Sequence, residues 1–104
     1  MTFVYKLLRA AEWTAFDADG SFAGSPDDLR DGFIHLSSPD QVAATRAKYF
    51  GGETGVVCIT LDAEAFGEAL RWEASRGGAL FPHLYRALDR DEIVAVGSAL
   101  STGD

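Results

Sequence analysis

The sequence predicts an α+β domain with a mixed or largely antiparallel β-sheet and with its helices mainly in the N-terminal half. Strand-like apolar runs recur along the chain at irregular spacing, which does not fit repeated βαβ units. Signals that begin and end helices concentrate before residue 53. Because 104 residues suffice for a single hydrophobic core, residues 1–104 are expected to form one domain, with Ser101 to Asp104 as a frayed tail.

Three segments of the N-terminal half carry helix signals, and each is followed within two residues by a glycine that can end it. Ser25 and Ser38 each precede a proline and an acidic residue, which is typical of a helix start. The expected helices are Ala10 to Ala18, Pro26 to Arg30, and a third that opens at Ser38-Pro39-Asp40-Gln41 and runs to Phe50. In the third, Arg46 lies within the apolar arc, so its charged end either reaches solvent past the core or turns into a pocket.

The strands are recognised by short apolar runs bounded by turn residues. The run Val56 to Leu61 is apolar almost throughout and is expected at the centre of the sheet, whereas Pro82 indicates an edge position or a bulge. A helical turn from Asp62 to Phe66 and a loop at Arg76-Gly77-Gly78 separate the later runs. The expected strands are Phe3 to Leu8, Gly32 to Ser37, Val56 to Leu61, Leu70 to Glu73, Leu80 to Tyr85 and Ile93 to Val96.

Composition narrows the compartment and the partners. A net charge of -7 disfavours nucleic acid as a partner, although the basic residues of the C-terminal third could form a local pocket for a small anion. No run approaches the ~18 apolar residues that span a bilayer, and Met1 to Leu8 is too short for a signal peptide, so no membrane association and a cytoplasmic location are expected. Cys58 lies in an apolar run and is interpreted as a small core residue.

The only two histidines of the chain occupy two similar segments, Gly32 to Ser37 and Leu80 to Tyr85. Because side chains alternate along a strand, His35 shares a face with Ser37, and His83 shares a face with Tyr85. Histidine changes charge near neutral pH and serves as an acid, a base or a ligand. The two imidazoles could therefore converge on one functional site.

Three kinds of functional site can be built from these residues. A metal centre of His35, His83 and Glu73 lacks supporting ligand spacing, and a triad built on Ser37 lacks a nucleophile elbow, so neither is expected. The third is a pocket for an anionic or nucleotide-like ligand, held by basic side chains and stacked on aromatic rings. The candidate ligand-binding residues are Arg9, Ser37, Arg71, Trp72, Arg76 and Tyr85. Against all three stands the interpretation that each histidine is only a hydrogen-bonded core residue.

Several motifs together resemble a known family. They are Tyr5-Lys6-Leu7-Leu8 with Glu12-Trp13, the stretch Phe22 to Ser37 with Gly24-Ser25-Pro26 and Gly32-Phe33-Ile34-His35-Leu36-Ser37, Gln41-Val42 with Thr45, and Arg71-Trp72-Glu73 with Phe81-Pro82-His83-Leu84-Tyr85. In this combination the chain resembles the small bacterial proteins classed as domain of unknown function 952. The resemblance extends over nearly the whole chain.

The resemblance implies a remote relation to the ADP-ribosyltransferase fold, a split β-sheet that holds NAD in a cleft. It would place His35 where those enzymes stack a tyrosine on nicotinamide, and His83 near their catalytic glutamate. A histidine cannot replace that carboxylate, so ordinary mono-ADP-ribosyl transfer is not expected. Glu73 is the candidate to supply a carboxylate from a neighbouring strand. The first-strand histidine or arginine of those enzymes has no firm counterpart in this chain, since Arg9 lies only at the end of the first strand.

The resulting hypothesis is a cytoplasmic ADP-ribosyltransferase-like domain with a cleft that binds a nucleotide-like or small anionic ligand. The assigned catalytic residues are His35, His83 and Glu73, acting on a ribose- or phosphate-containing substrate, and NAD is the cofactor that the resemblance implies. The alternative is a non-catalytic module in which the same cleft senses a ligand or contacts another protein. Both interpretations remain open at the level of sequence.

Overall fold

A computed structural model describes residues 2–98, except for the side chain of Arg76. Within this range the helices are α1 (Ala10–Asp19), α2 (Pro26–Asp31) and α3 (Val42–Phe50), and short 3-10 segments cover Ala63–Ala69, Arg76–Gly78 and Arg90–Glu92. The strands are β1 (Phe3–Leu8), β2 (Ser21–Phe22), β3 (Ile34–His35), β4 (Val57–Asp62), β5 (Leu70–Ala74), β6 (Leu80–Leu84), β7 (Leu88–Asp89) and β8 (Ile93–Ser98). The predicted tail, Ser101 to Asp104, lies outside the described residues.

The strands form three antiparallel groups. One sheet has the order β1-β4-β8, a second has the order β3-β6-β5, and β2 pairs with β7. Just after β3, the backbone of Ser37 exchanges two hydrogen bonds with Tyr5 of β1, at 2.8 and 2.9 Å, and so joins the two three-stranded sheets. The prediction of an α+β fold with a largely antiparallel sheet and N-terminal helices is confirmed, and β4 is central as expected.

The third helix begins later than predicted. The Ser38-Pro39 segment first forms a turn, in which the carbonyl of Ser38 accepts hydrogen bonds from the amides of Gln41 at 3.0 Å and Val42 at 3.1 Å. No side chain caps α3, whereas the hydroxyl of Ser25 accepts a hydrogen bond from Asp28 N–H and begins α2 directly. Two similar sequence starts therefore differ because only one is completed by a capping side chain.

The expectation of an edge position or a bulge at Pro82 is wrong, because β6 lies between β3 and β5 and pairs with β5 in unbroken register. Pro82 is opposite Trp72 of β5, and its carbonyl accepts a hydrogen bond from Leu36 N–H at 3.0 Å. The amide nitrogen of a strand residue points to the same side as its carbonyl, so the missing N–H of Pro82 also faces Leu36. The proline is tolerated at the point where the pairing of β3 with β6 ends.

The core lies on one side of the β3-β6-β5 sheet. Ile34 and Leu84 are opposite each other in the register and are fully buried in the main apolar cluster. Since successive side chains alternate, their neighbours His35 and His83 project from the opposite face. The core packing thereby leaves a histidine-bearing face on the side away from the main apolar cluster, although His83 itself is only 5% exposed.

Arg46 follows neither of its two expected arrangements. Its side chain is buried and donates hydrogen bonds to the carbonyls of Phe50 and Glu53, the latter at 2.7 Å. It therefore satisfies the carbonyl end of α3, where a cation is also favoured by the helix dipole. No helix in the described part of the chain has the length and apolar composition needed to cross a bilayer.

Candidate functional site

A cleft of about 310 Å³ lies between β1, α2, α3 and the histidine-bearing face of β3 and β6. Both histidines line it, and so do acidic and basic side chains of α2. Arg71 and Glu73 of β5 do not line it, which corrects the expectation that these side chains form its wall. The basic residue that α2 contributes instead is Arg30.

The two imidazoles meet across neighbouring strands. The register of β3 and β6 sets His35 opposite His83, and their ring centroids are 5.7 Å apart in an edge-to-face arrangement. Phe33 packs on both rings, stacked on His83 at 4.0 Å and tilted against His35 at 4.6 Å. The convergence that strand alternation predicted is therefore present, and an aromatic ring keeps both imidazoles in place.

His83 forms a hydrogen-bonded chain with Glu73 and Tyr85. Glu73 Oε1 lies 2.8 Å from His83 Nδ1 and accepts a hydrogen bond from the Tyr85 hydroxyl at 2.6 Å. His83 Nε2 has no hydrogen-bond partner among residues 2–98. Every fully buried side-chain nitrogen and oxygen in this range has a partner, so Nε2 is not fully buried, and His83 is one of the residues that line the cleft. Because a carboxylate only accepts hydrogen bonds, the contact with Glu73 assigns a proton to Nδ1, and Nε2 is then the nitrogen that carries the lone pair in the neutral ring.

The electrostatics of this chain keep Glu73 ionised. Hydrogen bonds from Tyr85 and then from His83 lower the pKa of the Glu73 carboxyl below its ordinary value of 4.5. The same carboxylate raises the pKa of the Tyr85 hydroxyl above its ordinary value of 10.0, so this hydroxyl remains a donor. Each partner therefore stabilises the protonation state in which Glu73 accepts hydrogen bonds.

His35 is held differently, because both of its ring nitrogens face carboxylates. Nδ1 lies 2.7 Å from Asp28 Oδ1, and Nε2 lies 3.0 Å from Asp31 Oδ2. Only the doubly protonated ring can donate to both carboxylates at once. The site therefore combines one imidazole with a nitrogen open to the cleft and one that is clamped on both sides.

Asp28 is the buried centre of the acidic side of the site. Its carboxylate is only 1% exposed and lies 2.9 Å from Lys6 Nζ. It also accepts hydrogen bonds from the backbone N–H groups of Ser25 and His35, at 2.9 and 3.0 Å. Burial by itself would raise the pKa of Asp28, but the hydrogen bond from the His35 ring and the charge of Lys6 outweigh it. The pKa is consequently held well below its ordinary value of 3.8.

Local sequence explains how Asp28 reaches this position. It is the third helical residue after Ser25 and completes a capping box, so its carboxylate is directed back toward the start of α2. Gly24, with a φ of 134°, lies so close that an added Cβ would stand 2.7 Å from Asp28 Cβ. After α2, Gly32 adopts the left-handed conformation and turns the chain into the segment that carries Phe33 and His35.

The remaining predicted residues lie around the site rather than in one cluster. Ser37 lines the cleft and donates a hydrogen bond to Thr45 Oγ1 at 3.2 Å. Arg9 also lines the cleft but is held by Glu53, with contacts of 3.1 and 3.2 Å. Of the two predicted arginines whose side chains the structure describes, Arg9 lines the cleft and Arg71 does not.

The β5 residues lie beside and behind His83. Arg71 is opposite His83 in the register, and its guanidinium lies 5.0 Å from the centre of the Tyr85 ring. Trp72 alternates with Arg71 and Glu73 and projects from the opposite side of β5, where 42% of it is exposed. Trp72 therefore does not contribute to the cleft, and the Arg76 side chain lies outside the described atoms.

Sequence reasoning missed several residues of the candidate site: Lys6, Asp28, Arg30, Asp31 and Phe33. Lys6 had a recognisable signal, since a lysine that shares a strand face with Val4 and Leu8 is directed toward the core. Phe33 had another, because it shares a face with His35. No group of three or more histidine, cysteine or acidic side chains that could hold a metal ion is found among the residues that the structure describes.

A family model described as Protein of unknown function (DUF952) matches residues 7–96. The chain belongs to the DUF952 family. Both histidines, their carboxylate partners and Phe33 lie within the matched range of this DUF952 protein. No curated protein matches the sequence.

The DUF952 chain is similar to solved structures of CC0527 from Caulobacter crescentus. The crystal structure is 50% identical with a TM-score of 0.91, and the match covers 97% of this chain and 90% of that one. A double mutant of the same protein gives the same values. The solution NMR structure is 52% identical with a TM-score of 0.84, and the match covers 93% of this chain and 84% of that one.

Proposed function

We propose that the cleft is an acid–base site for a nucleotide-like ligand, with His83 as the proton-transfer group and Glu73 as the residue that orients it. The observation that carries this proposal is the Glu73–His83 pair, with 2.8 Å between Oε1 and Nδ1 and with Nε2 accessible to the cleft. A carboxylate on one imidazole nitrogen fixes the tautomer and makes the other nitrogen available as a base. The proposal includes a cytoplasmic location and an ADP-ribosyltransferase-like arrangement of the split sheet.

The other cleft side chains suit a ribose and a base. Aromatic rings can stack on a planar group, and hydroxyls can hydrogen-bond to a sugar. The aromatic lining residues are Tyr5, Tyr49, Phe50 and Phe81, and the hydroxyl-bearing ones include Ser25, Ser37, Thr45 and Ser75. About 310 Å³ is at the lower end of the range of roughly 300–1,000 Å³ for small-molecule sites. We therefore propose that the cleft holds one nucleotide-sized half of a ligand such as NAD.

With NAD as substrate, the proposed step breaks the glycosidic C–N bond and forms a C–O bond between ribose C1′ and water or an acceptor hydroxyl. His83 Nε2 takes the proton that the attacking oxygen loses, and nicotinamide leaves with the electron pair of the broken bond. His35, held by Asp28, lies beside this base, with 5.7 Å between the centroids of the two rings. This substitution at C1′ needs no oxidant or reductant.

A second candidate, non-catalytic recognition of the same ligand, is favoured by the position of Glu73. Its carboxylate is engaged by His83 and Tyr85 and does not line the cleft. It is therefore not placed to stabilise a developing positive charge on ribose. A sensing module would use the same cleft for affinity alone.

One experiment separates the two candidates. Amide NMR titrations with NAD and ADP-ribose, together with chromatographic measurement of nicotinamide release, are carried out on the wild type and on His83→Gln. Catalysis predicts shifts around His35 and His83 in both proteins, with release reduced about 100-fold or more in the variant. Shifts without release in the wild type would favour the sensing module, and no shift at millimolar ligand would refute the nucleotide cleft.

The role of Glu73 is tested by Glu73→Gln, with Glu68→Gln as the matched control. Glu68 is an exposed glutamate that does not line the cleft. Glu73→Gln is expected to reduce release about tenfold to a hundredfold, because the amide no longer holds the Nδ1–H tautomer with a charge. An equal effect of both substitutions would contradict the orienting role.

A further inference from the structure

We infer that His35 and Arg30 form an anion subsite of the cleft and that the carboxylate of Asp31 occupies it as an internal substitute for the phosphate of the ligand. This inference rests on the proposed function and specifies how the ligand's phosphate is recognised. It concerns Arg30 and Asp31, which have no part in the proposed acid–base step.

The contacts of Asp31 are those that a bound phosphate or carboxylate would make. Asp31 Oδ1 lies 2.9 Å from Arg30 Nε, and Oδ2 lies 3.2 Å from Arg30 Nη2. Oδ2 also lies 3.0 Å from His35 Nε2. A planar guanidinium that holds two oxygens, with an imidazole on one of them, is a recurrent way to bind oxyanions.

Asp28 and Asp31 hold His35 with different strength. Asp28 is buried, accepts two backbone N–H groups and is paired with Lys6. Asp31 is 32% exposed and its partner Arg30 is 67% exposed. An exposed ion pair is screened by water and contributes little net stability, so a ligand can replace Asp31 while Asp28 keeps the ring in place.

Helix stability gives no reason for an acid at this position. Asp31 is the last residue of α2, where the partial negative charge of the helix end disfavours a carboxylate. A hydrogen bond from Arg30 lowers the pKa of Asp31, with a smaller contribution from His35, so the carboxylate is ionised at neutral pH. The carboxylate of Asp31 therefore interacts with Arg30 and His35, which both line the cleft.

The local charges also favour exchange for an anion. Lys6 and Arg30 face the carboxylates of three aspartates, Asp27, Asp28 and Asp31. The His35 ring lies between two of these carboxylates, Asp28 and Asp31. Neutralisation of Asp31 removes one negative charge from the edge of the cleft and frees Arg30 and His35 Nε2 from this carboxylate.

The test uses Asp31→Asn and inorganic phosphate as the probe, at constant ionic strength with chloride as the replacement salt. Amide and imidazole NMR signals of His35 report binding. If Asp31 occupies the subsite in about nine molecules of ten, only about one in ten is free to bind phosphate. Neutralisation of Asp31 should therefore strengthen phosphate binding about tenfold. The gain should disappear in the double variant Asp31→Asn, Arg30→Gln.

Asp27→Asn is the matched control, since Asp27 lies on the same helix, lines the same cleft and contacts Arg30 Nη1 at 3.1 Å, but makes no contact with His35. It removes the same charge and is expected to change phosphate binding less than threefold. Equal gains in both single variants, or no gain in Asp31→Asn, would overturn the subsite. Because this readout needs no turnover, nicotinamide release in the wild type would then still support the acid–base function.

Discussion

The buried Lys6–Asp28 pair makes a strong prediction about stability. Lys6 is 8% exposed, and its ammonium group contacts both Asp28 oxygens, at 2.9 and 3.2 Å, and the His35 carbonyl at 3.1 Å. Lys6→Met keeps an unbranched side chain, one heavy atom shorter, but removes the charge and all three contacts. Loss of one partner of a buried ion pair costs about 3–5 kcal/mol, because the other charge remains buried without compensation.

The expected cost lies at the lower end of that range. Asp28 keeps the ring of His35 and the backbone N–H groups of Ser25 and His35 as partners after the substitution. We therefore expect the free energy of unfolding to fall by about 3 kcal/mol at pH 7. For a domain of this size, that corresponds to a decrease in Tm of roughly 12 to 24 °C.

The pH dependence provides an independent check on the cause. The pKa of Asp28 is lower in the folded chain than its ordinary value of 3.8, so the stabilisation it provides is complete above that value and is lost as the pH falls below it. Lys6→Met should raise the pKa of Asp28 in the folded state. The difference in stability between the wild type and the variant should therefore narrow below about pH 4.

Urea unfolding followed by circular dichroism at pH 7 and pH 3 measures both quantities. Lys48→Met is the control, because it removes the other lysine of the chain from an exposed position on α3, and it should change stability by no more than about 0.5 kcal/mol. A cost below about 1 kcal/mol for Lys6→Met at pH 7, or a cost that does not change with pH, would refute the reasoning.

Three further outcomes follow from other parts of the structure. Gly24→Ala should destabilise the fold by about 2 kcal/mol or more and weaken the Asp28–His35 contact, because the added Cβ would stand 2.7 Å from Asp28 Cβ. Gly20→Ala is the control: its added Cβ would meet no atom within 4 Å, so it should lower the free energy of unfolding by less in the same urea assay. Arg46→Met should cost about 2–3 kcal/mol by loss of its hydrogen bonds to the end of α3, and a cost equal to that of Lys48→Met would contradict this role. Since burial raises the pKa of the Cys58 thiol, a disulfide reagent at pH 7 should react at least about tenfold faster in the unfolded chain than in the folded one, and equal rates would contradict it.

Elements that depend on neighbouring residues were predictable from the sequence. The helix at Pro26 was found because Ser25 caps it and Gly32 ends it, and both effects act within one turn. The strand at Val57–Asp62 was predictable because a short, continuous apolar run is typical of a strand that is buried in the sheet. The start of α3 was misplaced, since the turn at Ser38 lacks the capping side chain that the sequence pattern suggested.

Long-range relations were less accessible. Pro82 indicates an edge strand in isolation, but its missing N–H faces the point where β3 stops, and only the arrangement of three strands shows this. Asp28 resembles an ordinary capping acid along the sequence. Its second role depends on Lys6, which is 22 residues away.

The sequence by itself determined the α+β class, most element positions and the two strand faces that carry His35 and His83. It did so because capping, glycine conformation and side-chain alternation are local properties of the backbone. Only the tertiary structure decided that the two imidazoles are opposite each other, that one is oriented by Glu73, and that the other is clamped between Asp28 and Asp31. These relations depend on strand register and on the approach of α2 to β3, which are set by packing of the whole core rather than by any single segment.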